Sequence, residues 1–273
     1  MFKWIKRILL SLLAAIVVTI AIIAAFIVWD VNFGVQATDF SNVSYQRSDG
    51  TVLDAYIALP EGEGPFPGVL MAHEWWGLNA EIVELADKLA EEGYVVLAPD
   101  NYRGKTAGTI PGALYLRLTV DSVRVDEDML FAYDYLLDLP DTTDAIGVVG
   151  FCYGGDVAFD HAVANPDIDA VINLYGSTRS DTDMFGALLD ADSPPILAIF
   201  GEADTSIPLE DVAAHESALA SANLDATVTI YDDMNHAFVQ PDAIDDGGAP
   251  QAAWEEILAF FETHLTEETP SEG

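Results

Sequence analysis

Three side chains of this sequence, Cys152, Asp204 and His236, have the types and the chain order needed for nucleophilic attack on a carbonyl. Cys152 is the single cysteine and stands in Gly150-Phe151-Cys152-Tyr153-Gly154-Gly155, straight after the apolar run Ala145-Ile146-Gly147-Val148-Val149. A nucleophile held out on a cramped strand-to-helix turn needs small neighbours, so this spacing predicts an elbow. Asp204 lies in Gly201-Glu202-Ala203-Asp204, directly after the apolar run Ile196 to Phe200, and His236 lies in His236-Ala237-Phe238, after the last predicted strand. In these roles His236 takes the thiol proton or holds the thiolate, and Asp204 fixes the imidazole tautomer. The thiolate then forms a thioester that water releases. The developing oxyanion needs N–H donors, each typically worth about 2.7 to 4 kcal/mol, and the backbone N–H of Tyr153 is positioned to be one. Each residue also has a plainer role: a lone cysteine is often a small buried hydrophobe, and Asp204 is placed to cap the helix that starts near Pro208. Glu202, Asp232 and Asp233 are rival acids, while His73, His161, His215 and His264 suit structural, packed or solvated positions.

These residues must be carried by elements whose ends meet. The pattern opens with a hairpin, Ser44 to Arg47 and Thr51 to Leu59 around a Ser48-Asp49-Gly50 turn, and then alternates. Apolar runs at Gly68 to His73, Tyr94 to Ala98, Ala145 to Val149, Ala170 to Leu174, Ile196 to Phe200 and Ala226 to Tyr231 read as strands. Segments of helical spacing follow at Ala80 to Glu92, Val125 to Leu137, Gly154 to Asn165, Leu209 to Ala222 and Ala252 to His264. Residues 100 to 121 and 176 to 193 read as irregular. Such alternation predicts an α/β fold with a mostly parallel sheet and helices on both faces. Ligands of such sheets bind beyond the carboxyl ends of the strands, where Cys152, Asp204 and His236 all fall. Their order, nucleophile, acid, histidine, is that of the α/β-hydrolase arrangement.

The amino-terminal forty residues differ from the rest. Ile8 to Trp29 is a run of 22 residues broken only by Ser11 and Thr19 and preceded by Lys3, Lys6 and Arg7. At about 1.5 Å per residue it spans roughly 33 Å, enough for a hydrocarbon core of about 30 Å. The organisation expected is residues 1 to 7 in the cytoplasm, 8 to 29 across the membrane, 30 to 43 as a linker, 44 to 265 as the α/β domain outside, and 266 to 273 as a polar tail. A cleaved signal with release of the domain is the alternative, since Val35-Gln36-Ala37 resembles a cleavage site, although signal cores are normally about 7 to 15 residues. Beyond the apolar run stand 46 acidic residues and seven of the ten basic ones, a formal charge of −39. Such a field argues against nucleic acid and anionic surfaces as partners. It suits a salty medium, where a Debye length near 3 Å at about 1 M salt screens self-repulsion. With one cysteine, no internal disulfide forms.

Taken together, His73-Glu74-Trp75-Trp76-Gly77-Leu78-Asn79, Pro99-Asp100-Asn101-Tyr102-Arg103-Gly104, the cysteine elbow, Gly201-Glu202-Ala203-Asp204 and His236-Ala237-Phe238 resemble, in order, the signature blocks of the dienelactone hydrolase family over about residues 44 to 265. The resemblance implies a Cys152, Asp204, His236 triad, the Trp75 N–H as second oxyanion donor, Glu74 beside the nucleophile helping to take its proton, and Arg103 helping to bind an anionic group. The family's second arginine after the histidine is missing, since the chain reads Val239-Gln240-Pro241 there, and glutamine cannot supply its charge. A neutral ester or lactone is therefore at least as good a substrate as a carboxylate-bearing one, with Trp75, Trp76, Tyr153 and Phe238 available to line an apolar pocket. No metal or organic cofactor is implied. Two further readings remain open: a non-catalytic surface binding protein on a decayed hydrolase scaffold, and a redox-active thiol protein, which without a resolving cysteine would need an external thiol. Sequence leaves the oligomeric state open.

Overall fold

The computed structural model describes residues 2–47, 49–189 and 193–266. Ser48 of the expected turn and residues 267 to 273 of the expected tail lie outside the described residues. The elements are α1 (Phe2–Phe33), β1 (Val43–Gln46), β2 (Val52–Ala58), β3 (Phe66–Ala72), α2 (Ala80–Glu91), β4 (Val95–Pro99), α3 (Ile110–Thr119), α4 (Ser122–Leu137), β5 (Thr142–Phe151), α5 (Tyr153–Ala164), β6 (Ala170–Leu174), β7 (Ile196–Gly201), α6 (Leu209–Ser221), β8 (Ala226–Tyr231), α7 (Pro241–Asp246) and α8 (Ala249–Leu265). The eight strands form one sheet in the order β1-β2-β4-β3-β5-β6-β7-β8. β1 and β2 pair antiparallel, as does β2 with β4, and every pairing from β4 onward is parallel.

Strand residues of alternating parity face opposite layers, as the two-residue period requires. Leu70, Val95, Leu97, Ile146, Val148 and Val171 pack with α4 and α5. Val69, Met71, Val96, Val149, Phe151 and Ile172 pack with α2 and α8. Burying such a side chain stabilises the fold by about 1.5 to 3 kcal/mol, and both faces are covered, so the strands from β3 to β7 are largely apolar. Register brings the carboxyl ends level: Ala72 lies beside Gly150, Phe151 beside Leu174, Leu174 beside Ile199 and Gly201 beside Tyr231. The residues following β3, β5, β7 and β8 are thereby gathered along one edge.

Four segments differ from expectation: α7 has no predicted counterpart, the 176–193 stretch read as irregular holds helical turns over Thr182–Leu189, and two more lie at 100–121 and 30–43. The 100–121 stretch, also read as irregular, contains α3, which Thr109 caps by accepting from the Gly112 N–H at 3.3 Å, with Pro111 in its first turn where no amide donor is needed. Residues 30 to 43 are not a free linker. α1 continues to Phe33, and Asp30 accepts from the Gly108 N–H (3.2 Å) and the Thr109 hydroxyl (2.6 Å), at the positive end of α3. Gly112 permits this approach, since a Cβ there would overlap the Asp30 carboxylate. Val31 and Ala37 are fully buried, and the Ala37 N–H donates to the Gly104 carbonyl. The rest of α1, long and apolar enough to cross a membrane, is exposed.

Candidate active site

Cys152 connects β5 to α5 with φ 54° and ψ −115°, a conformation that side chains rarely adopt. Local geometry over-determines it. The Cys152 N–H donates to the Leu174 carbonyl at the end of β6, its own carbonyl accepts from the Gly155 N–H, and a Cβ at Gly150 would collide with the Gly154 carbonyl. The glycines of the elbow are thus demanded by backbone contact, as their spacing predicted. The turn also brings the first amide of α5 to the thiol: the backbone N–H groups of Tyr153 and Trp75 both lie at the Cys152 sulfur and favour its thiolate form. Two donors therefore converge where a carbonyl oxygen would need them.

His236 and Asp204 meet from the loops after β8 and β7. The Asp204 Oδ2 lies 2.6 Å from His236 Nδ1, and a carboxylate only accepts, so Nδ1 carries the proton and Nε2 is left free to act as base. Asp204 is held in turn by the N–H groups of Ser206 (2.7 Å) and Ile207 (3.2 Å) on its other oxygen. Its carboxylate is buried, whereas His236 is half open and packs edge-on against Tyr175 at 5.3 Å. Glu202 instead accepts from the Asp233 N–H.

Glu74 follows β3, which puts it beside the elbow. It is 6% exposed, and its Oε1 finds no hydrogen-bond partner in the protein. Burial, with the Glu81 charge second, raises its pKa to about 7. Burial also pushes the Cys152 thiol up to about 12, with the Glu74 charge the next cause. Near neutral pH the thiol therefore rests protonated, while Glu74 is about half ionised and able to give or take a proton there. Its loop is pinned by His73: Nδ1–H donates to the Glu74 carbonyl (2.7 Å), and Nε2 accepts from the Asn101 N–H (3.2 Å). Full burial lowers the pKa of His73 to about 4, which keeps this two-ended bridge neutral.

Cys152 and His236 share an open cavity of about 310 Å³ with Trp75, Tyr153, Tyr175, Ser206 and Ile207. Its cation is Arg117 of α3, stacked over Tyr153 at 4.7 Å and paired with Asp156, another wall residue, at 3.4 Å. Arg103, expected here, lies elsewhere. Both its Nε (3.0 Å) and Nη2 (2.8 Å) donate to the buried carboxylate of Asp128, which also holds Arg47 and Arg124. Trp76 and Phe238 are likewise outside the lining: Trp76 packs edge-on to Trp75, and Phe238 between Tyr175 and Tyr231. Sequence reasoning missed Arg117 because α3 itself was missed. Tyr175, just past β6, stood where the strand-end rule directs attention.

A strained cysteine turn after β5, with an acid and a histidine on the loops after β7 and β8 of a mostly parallel sheet, is the arrangement of the α/β-hydrolase fold. The model of the dienelactone hydrolase family matches residues 53–265, and the chain belongs to that family. A protein of Aquifex pyrophilus named protein usf is 34% identical over 232 residues, 81% of this chain and 97% of its own length. A protein of Aquifex aeolicus (strain VF5) carrying the name carboxymethylenebutenolidase is 32% identical over 80% of this chain and 96% of its own. A crystal structure described as a dienelactone hydrolase of Klebsiella pneumoniae subsp. pneumoniae superposes with a TM-score of 0.69 at 26% identity, over 81% of this chain and 99% of that one.

Proposed function

We propose that the chain hydrolyses small carboxylic esters or lactones through a Cys152 thioester. The observation that carries this is the convergence on one cavity of the strained Cys152, the Tyr153 and Trp75 amides, and His236 oriented by Asp204. On substrate entry the two N–H groups beside the sulfur receive the carbonyl oxygen. The thiol proton passes to Glu74 or to His236 Nε2, the thiolate attacks the carbonyl carbon, and the departing alkoxide takes that proton back from the group that received it. Water activated by His236 then cleaves the thioester, releasing the acid and restoring the thiol. In a lactone the alkoxide remains tethered to the acyl group, and hydrolysis gives one hydroxy acid.

A neutral substrate fits best. Arg117 is already paired with Asp156, Arg103 with Asp128, and Gln240 donates to the Ala237 carbonyl. The full chain and Cys152→Ala, compared on neutral and carboxylate-bearing esters and lactones, test the reading. Loss of all turnover in the variant supports it, and retained activity refutes the mechanism.

α1 is read as an uncleaved anchor with the domain outside, on the basic flank at Lys3, Lys6 and Arg7 and on the burial of Val31 and Ala37, which cleavage after Ala37 would detach. Protease protection of the domain in sealed right-side-out vesicles would overturn that orientation.

A further inference from the structure

The acidic shell of the domain has one long interruption. From Asn101 to Val120 twenty consecutive residues carry no Asp or Glu, yet include Arg103, Lys105 and Arg117. Inside that stretch, α3 turns apolar side chains outward: Ile110 is 63%, Leu114 47% and Leu118 73% exposed, at the four-residue spacing of one helix face. The inward face is apolar too, with Ala113 and Leu116 buried. A ten-residue helix apolar on both sides in so acidic a domain has an outer face with no partner among the described residues. Its first turn is fastened to the end of α1 by Asp30 on Gly108 and Thr109, and the exposed Trp29, Phe33 and Val35 flank the joint. Aromatic residues at the end of an apolar span sit at the level of lipid headgroups. α3 thus begins at that level.

We propose that α3 lies in the boundary between headgroups and acyl chains of the bilayer that α1 crosses, so that the cavity opens at the lipid surface and takes esters or lactones dissolved in the membrane. The rigid joint supplies the orientation, the missing carboxylates remove the repulsion, and Ile110, Leu114 and Leu118 supply the apolar contact. Arg117 lies between Leu114 and Leu118 in sequence and lines the cavity, so the lipid-facing stripe and the cavity wall belong to the same two turns. This inference rests on α1 remaining in the membrane.

The test uses the full chain in phosphatidylcholine vesicles with brominated acyl chains. In a Cys152→Ala background, a single fluorophore is attached through Leu118→Cys on α3 or through Glu216→Cys, an exposed site on α6. The label at 118 should be blue-shifted and quenched about twofold more than the label at 216. Equal quenching at both sites, with the chain retained through carbonate extraction, overturns the proposal and leaves the anchor standing. Extraction by carbonate removes the anchor reading and the proposal together. Cross-linking of the Leu118→Cys chain to a second copy, without quenching, assigns the face to a dimer and also overturns it. In the chain with Cys152 intact, Leu114→Asn with Leu118→Asn should lower hydrolysis of a vesicle-embedded long-chain ester about tenfold and leave a short soluble ester unchanged. Absence of hydrolysis of both the embedded and the soluble ester refutes the catalytic reading, on which the substrate half of the proposal rests, while the fluorescence result decides separately where α3 lies.

Discussion

Glu74→Gln removes a negative charge from beside Cys152 while keeping the shape of the side chain, and it should move two rates in opposite directions. The Cys152 thiol stands at about 12, raised first by burial and next by the Glu74 charge. At pH 8, one unit above the value of about 7 for Glu74, that carboxyl is mostly ionised. The resting thiolate fraction is then on the order of one in ten thousand. Two like charges about 5 Å apart at an effective dielectric near 20 repel by about 3 kcal/mol, or roughly two pK units. Partial solvation reduces this, so glutamine should lower the thiol pKa by about one to two units and speed alkylation by iodoacetamide about 10- to 100-fold. Turnover should fall, because a proton acceptor near the sulfur is lost, and general-base contributions are typically about 10²- to 10⁴-fold. Alkylation is followed by mass spectrometry and hydrolysis by initial rates on one preparation at pH 8. If alkylation slows as well, Glu74 does not oppose the thiolate. If turnover is unchanged, it takes no proton.

Further outcomes follow from the same geometry. Because the folded-state pKa of Glu74 is raised from 4.5 to about 7, the stability it confers is fully present below pH 4.5 and lost as pH rises through 7. That difference is about 3 kcal/mol, so denaturant titrations of Glu74→Gln should show a flatter dependence between pH 5 and 8 than the parent. Asp204→Asn should retain the fold by circular dichroism and lose about 10²- to 10⁴-fold in kcat, since the amide can favour the wrong imidazole tautomer. Arg103→Gln should leave KM for every ester unchanged and cost about 1 to 2 kcal/mol of stability, because Asp128 keeps Arg47 and Arg124. Arg117→Gln should instead alter KM for carboxylate-bearing substrates. Thermal unfolding of the full chain should shift upward between about 0.1 and 1 M salt as the Debye length shortens from about 10 to 3 Å; an unchanged midpoint would remove the salt-adaptation reading.

What the sequence made legible was set by local requirements. β6 and β8 match their predicted spans to the residue because both are short apolar runs bounded by turns. The elbow was legible because backbone collisions at Gly150 and Gly154 admit only glycine. α3 was hidden because Ile110, Leu114 and Leu118 make its outer face as apolar as its inner one, which erases the helical period, and because Pro111-Gly112 reads as a turn. Arg103 stood in a motif block, but its fate was decided by Asp128, 25 residues away on α4, an attachment no spacing reveals. The docking of Asp30 depends on Thr109 in the same way.

Asp128 carries a wider consequence. Three of the seven cations beyond α1 surround this one buried carboxylate, and Lys88, Arg117 and Arg179 are each paired with an aspartate as well. Among the described residues, six of the seven basic side chains beyond α1, all but Lys105, are therefore fixed in place by acidic partners, while most of the acids have no partner of opposite charge. In a saturation mutagenesis of this chain, tolerance should follow sign rather than exposure: surface aspartates and glutamates should accept neutral replacements freely, whereas each arginine, and Asp128 most of all, should resist them.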